Sequence, residues 1–156
     1  MRPALPPMPQ PGGCLCANVR YRIEGPILAI NACHCLDCKR TSGATCGVYL
    51  HLERSALVQE GGSLERYRKR ADSGRQVDLV RCANCGTRLW HEPLAAPRLV
   101  FVAAGTLDVS DWAVPTSHIW AAGRAASVQL EPDALVIAGA PDDRQALWDR
   151  FKQLYG

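Results

Sequence analysis

The 156-residue sequence predicts a single, mainly β domain tied together by cysteine-bound metal and closed by one C-terminal helix. Three observations predict it. Apolar and polar residues alternate over short runs, the period of half-buried strands. Eight cysteines are present, and all but Cys46 fall in tight clusters. Only the last stretch of chain carries apolar residues at sustained helical spacing.

The elements follow in order. Met1 to Pro11 is proline-rich, with Pro3, Pro6, Pro7, Pro9 and Pro11, and reads as a flexible, polyproline-like lead-in over 1–11. The β domain is expected over 12–140. Val19, Tyr21 and Ile23 take every second place before the Gly25-Pro26 turn. Ile27 to Ile30 leads into Cys33. Cys35 to Thr41 reads as one helical turn ended by Gly43. Cys46, Val48, Leu50 and Leu52 alternate with Gly47, Tyr49 and His51. Gly61-Gly62 marks a further turn. Val77 and Leu79 approach Cys82, and Leu99 to Ala104 reads as a buried strand. His118-Ile119-Trp120 and Leu135 to Ala138 are the last strand candidates. A packing helix is expected over 141–156. Pro141-Asp142-Asp143 would place acidic residues at its positive end, and Leu147, Trp148, Phe151, Leu154 and Tyr155 would form its buried stripe.

Composition narrows the functional classes. Hydrophobic residues make up 47% of the chain and charged residues 21%, a globular balance. The net charge of +3 is too small to make nucleic acid the default partner. No apolar run is long enough to span a membrane. The start has no apolar segment of the kind a secretory signal needs, so the expected compartment is the reducing cytoplasm, where disulfides are rare.

The cysteines carry the chemistry. Cys82-Ala83-Asn84-Cys85-Gly86 is a two-ligand knuckle, with a glycine where the backbone amides turn toward sulfur. Cys14-Leu15-Cys16 places two thiols on one face of an extended chain. Together they make a four-thiolate set, the composition of a structural zinc site, although tetrahedral sulfur ligation also admits iron. The second cluster is Cys33-His34-Cys35-Leu36-Asp37-Cys38. Three thiolates leave one coordination position free, the arrangement of a catalytic zinc. The alternative is a second closed site with Cys46 or His34 as fourth ligand. His34 is expected to point away from its flanking cysteines into a supporting role, and Cys46 reads as a small core residue.

These residues resemble the glutathione-dependent formaldehyde-activating enzyme family, also called centromere protein V-like. The resemblance lies in Gly12-Gly13-Cys14-Leu15-Cys16 with Val19-Arg20-Tyr21, in Cys33 to Ala44, in Cys82-Ala83-Asn84-Cys85-Gly86-Thr87-Arg88-Leu89, and in Gly105-Thr106-Leu107-Asp108, Pro115 and His118-Ile119-Trp120. Arg81 departs from the pattern, standing where an aromatic is expected. The resemblance implies coiled antiparallel β-sheets of the zinc β-tent type. It implies two zinc ions per chain, a structural one on Cys14, Cys16, Cys82 and Cys85 and a catalytic one on Cys33, Cys35 and Cys38; with three protein ligands instead of four, the second is expected to be the more labile. The implied activity is that of a carbon–sulfur lyase interconverting S-hydroxymethylglutathione with glutathione and formaldehyde.

That chemistry needs a base and a seat for carboxylates. His118, from the late signature, is a candidate base, although a buried structural role fits it as well. Lys39 and Arg40, beside the second cluster, are candidate substrate-binding cations. Arg66, Arg68 and Arg70 would share one strand face, as substrate cations or as a solvated hairpin surface. The competing reading of the whole chain is a zinc-stabilised β-domain that binds a partner without catalysis.

Overall fold

A computed structural model describes residues 1–156. Eleven strands and two α-helices follow in chain order: β1 Gln10–Gly13, β2 Arg20–Ile23, β3 Ala29–Cys33, α1 Leu36–Ser42, β4 Gly47–Glu53, β5 Leu57–Gln59, β6 Leu64–Arg70, β7 Gln76–Cys82, β8 Arg88–Pro93, β9 Leu99–Ala103, β10 Ser117–Ile119, β11 Leu135–Val136 and α2 Gln145–Tyr155. The protein is mainly β, as the alternation predicts. A three-stranded sheet runs β1-β2-β5, and an eight-stranded sheet runs β11-β10-β3-β4-β9-β8-β7-β6.

The large sheet is antiparallel except where β10 pairs in parallel with both β3 and β11. Long connections separate these partners in sequence, so no tight hairpin dictates their direction. The four residues of β2 alternate between part-buried and fully buried, as read from sequence. β4 does not alternate: Tyr49, Leu50, His51 and Leu52 are all buried. It lies mid-sheet between β3 and β9 with both faces covered, so the two-fold pattern seen in sequence separates two interiors rather than core from water.

The two interiors follow from register, because residues paired across strands share a face. Ile30 faces Leu50, Leu50 faces Val102, Val102 faces Trp90, and Trp90 faces Val80. This row is the core, packed with Val19, Tyr21, Ile23 and Leu57 of the small-sheet region. Tyr21 meets Trp90 edge-on at 5.9 Å between ring centres. The other row, His51, Phe101, His91 and Leu79, lies on the opposite face.

The proline-rich start lies against this body. Arg2 donates to both Asp133 carboxylate oxygens at 2.8 and 2.6 Å, and Leu5 and Met8 pack on the core. The residues from Gln10 onward are already strand β1. The C-terminal helix begins at Gln145, whose amide donates to the Asp143 side chain. Its buried residues are Leu147 and Phe151, two positions of the expected stripe.

Candidate metal centres and active-site cleft

The first cluster forms where two distant turns meet. Cys14 and Cys16 follow β1, Cys82 ends β7, and Cys85 lies in the turn before β8. Their sulfurs all lie within 4.8 Å of one another. The Cys14–Cys16 and Cys16–Cys82 sulfur separations are 3.5 and 3.8 Å. A tetrahedron with metal–sulfur bonds of about 2.3 Å has edges of roughly 3.8 Å, so the set fits one ion of zinc type. Polar groups of the protein reach two of these sulfurs. The Val19 amide donates to Cys14 Sγ at 3.2 Å. The Thr87 hydroxyl, 3.1 Å from Cys85 Sγ, leads the groups that hold the Cys85 thiol down to about 5.

Cys33, Cys35 and Cys38 form the second cluster, again with all sulfurs within 4.8 Å. Cys33 ends β3. Cys35 is the N-cap of α1, its Sγ accepting from the Cys38 amide at 3.3 Å where a serine hydroxyl would ordinarily serve. Gly43 closes the helix in the left-handed conformation (φ 67°). Hydrogen bonds with Cys33 and then Cys38 hold the Cys35 thiol well below its ordinary value, whereas those with Cys35 and then Cys38 push Cys33 up. Neither His34 nor Cys46 joins the set. The donors therefore fit a metal ion with three protein ligands and one position free of protein.

The three cysteines line a cleft of about 150 Å³ on the non-core face of the large sheet. Asn31, Tyr49, His51, His91 and Phe101 also line it. His51 Nε2 is 2.6 Å from Asn31 Oδ1, so it donates there and leaves Nδ1 as an acceptor without a protein partner. Burial, then the charge of Arg144, takes the His51 pKa down to about 3. Burial, then Arg88 and Lys69, lowers His91 well below the ordinary value. Arg88 donates to His91 Nε2 at 3.1 Å and lies over the Tyr49 ring. Burial, then Cys38, pushes the Tyr49 phenol far up, so it stays protonated. Trp120 closes one wall in the left-handed conformation (φ 53°), an unusual state for a bulky residue.

The candidate substrate residues named from sequence lie elsewhere. Lys39 donates to the Gly123 carbonyl and Arg40 is exposed; neither lines the cleft. The cations that do line it are Lys69, Arg75 and Arg144. Arg66 and Arg68 are exposed on the face of β6 opposite Lys69, away from the cleft, and pair with Glu92 and Asp78 at 3.1 and 2.8 Å. Arg81 is likewise exposed and paired with Glu65. His118 is buried outside the cleft lining, between His34 and Glu131. His51 and His91 escaped the sequence reading. Their signal was a histidine among the large apolar residues of each strand: Leu50-His51-Leu52 and Leu89-Trp90-His91.

Fold and site define a class: mainly β proteins in which four cysteines join two distant turns and three more line a cleft. Residues 9–123 match the family model for glutathione-dependent formaldehyde-activating enzyme, and the chain belongs to that family. No curated protein matches the sequence. Among solved structures, a crystal structure of a Rhodobacter sphaeroides protein aligns with a TM-score of 0.50 and 22% identity, over 63% of this chain and 87% of the other. At that identity the likeness is one of fold.

Proposed function

We propose that the protein is a zinc-dependent carbon–sulfur lyase acting on a small thiol–aldehyde adduct, with S-hydroxymethylglutathione as the leading substrate. The observation that carries this reading is the three-cysteine cluster at the wall of the cleft, with no fourth protein donor. Cys33, Cys35 and Cys38 would hold the zinc, which when bound stabilises a sulfur as thiolate at neutral pH.

The chain's own groups account for the rest. In the cleavage direction the adduct hydroxyl gives up its proton, the carbon–sulfur bond breaks with its electron pair going to sulfur, and aldehyde and thiol result. His51 Nδ1 is an acceptor for the hydroxyl hydrogen. Its low basicity makes it an acceptor that orients the hydroxyl, whose proton passes to the departing sulfur to give the free thiol. Tyr49, kept protonated, and Trp120 with Phe101 restrict water at the cluster. Eight free thiols favour a reducing compartment such as the cytoplasm, and no helix is long and apolar enough to cross a membrane.

The test is zinc per chain by elemental analysis in wild type and Cys35→Ser, beside exchange NMR of glutathione with formaldehyde. Two zincs falling to one, with acceleration of exchange lost in the variant, is the expected result. One zinc in both proteins and no acceleration would overturn the enzyme reading and favour a zinc-stabilised binding domain.

A further inference from the structure

The family match ends at residue 123, yet the cleft does not. Ala140, Pro141, Arg144 and Leu147 also line it, all from the segment beyond the match. Leu147 is fully buried and anchors α2 into the core. The helix read from sequence as packing alone thus brings a cation to the site.

Arg144 carries no counter-charge, in contrast to several arginines elsewhere on the fold. Arg66, Arg68, Arg81 and Arg98 each have a carboxylate partner. The Arg144 guanidinium makes no hydrogen bond or ion pair within the protein and rests, part-buried, on the Phe101 ring at 5.2 Å from its centre. Phe101 in turn lies 4.3 Å from the His51 ring, whose Nδ1 is unpartnered. Arg75, at the β6–β7 hairpin, lines the same cleft and is also without a carboxylate. Burial, followed by Arg75 and Arg98, lowers the Arg144 pKa. A desolvated cation beside like charges, with donors unspent, is stabilised by an incoming anion.

We infer that Arg144, supplied by the C-terminal segment outside the family domain, is a specificity-determining residue that with Arg75 binds a carboxylate of the substrate. The substrate class is then a thiol bearing carboxylates, and neutral thiols are disfavoured. This rests on the reading that the cleft receives a thiol adduct, but its first test needs no turnover.

The probes are S-methylglutathione, a thioether with both carboxylates, and its diethyl ester, titrated calorimetrically into the full chain. Wild type is expected to bind the diacid about tenfold or more tighter than the diester, the scale of one charge-assisted contact. Arg144→Gln should erase that preference and leave diester binding unchanged. Arg144→Lys should keep part of it. In turnover assays Arg144→Gln should raise KM for glutathione with little change in kcat. A preference that survives Arg144→Gln, or no preference or no binding in wild type, overturns the assignment. An Arg144-dependent preference without any turnover upholds the anion site and removes the lyase reading. Turnover with equal efficiency on neutral and acidic thiols does the reverse.

Discussion

His34 Nε2 lies 2.9 Å from His118 Nδ1, and both rings are buried. His118 Nε2 meets Glu131, so a histidine pair ending on a carboxylate runs behind the loop that carries Cys33 and Cys35. Two residues that looked unrelated in sequence form one device, because β10 pairs with β3 and sets Ala32 beside His118. His118→Ala leaves His34 without its partner inside the protein. The expected loss is about 2 kcal/mol, read from urea unfolding. Turnover per folded molecule should change less than tenfold, since His118 does not line the cleft. A thousandfold fall in kcat in a stable variant would make it a proton carrier instead.

Trp120 combines a left-handed backbone with a place in the cleft wall. A bulky residue held there costs on the order of 1 kcal/mol or more. Trp120→Gly relieves that strain while removing an aromatic contact surface. The expected outcome is a Tm within a few degrees of wild type, with several-fold weaker binding of S-methylglutathione. A large fall in Tm with unchanged binding would assign Trp120 to packing alone.

Much of this was legible in sequence for a definite reason. Cysteine spacing constrains geometry directly, so both thiol clusters could be read without a structure. The Gly12-Gly13 pair shows the same principle: a Cβ on Gly12 would lie 2.3 Å from the Tyr21 hydroxyl and 2.6 Å from the Thr106 carbonyl oxygen. Cleft polarity was harder. Lys39 and Arg40 are near the cysteines in sequence, but α1 turns them away from the cleft. Lys69 reaches the site from a strand at the sheet edge and pairs with Asp37 at 2.9 Å. Arg144 arrives at the N-cap of a helix more than a hundred residues after the cluster. Such convergence is set by strand order, which local periodicity does not encode.

His51 makes the fold sensitive to acid. Its pKa is about 3 in the fold, below the usual value of about 6.5 expected on unfolding. The unfolded chain therefore binds the extra proton between those values. The stabilisation is fully present above about pH 6.5 and is lost as pH falls toward 3. At pH 5 the loss from this one group is about 2 kcal/mol. Denaturation midpoints of wild type and His51→Gln, compared at pH 7.5 and pH 5, separate the His51 contribution from any metal release common to both. The wild type should lose more stability on acidification. Equal losses would show that His51 is not held neutral.

The two thiol clusters should separate in their effect on folding. Cys16 and Cys82 stand 66 residues apart, and a link across that span removes on the order of 4 kcal/mol of unfolded-chain entropy in the cross-link model. Cys82 is buried and ends β7, so Cys82→Ser deletes a ligand at the seam between the two turns. That variant should show broad, non-cooperative thermal unfolding. Cys35→Ser should unfold as sharply as wild type, because serine can keep the N-cap bond to the Cys38 amide that Cys35 makes now. A graded chelator titration checks the same asymmetry in the unmutated protein. The first equivalent of metal should leave with the far-UV circular dichroism unchanged, and the second should leave together with the β signal. Loss of both equivalents with the fold intact would mean that hydrophobic packing alone holds the two turns together.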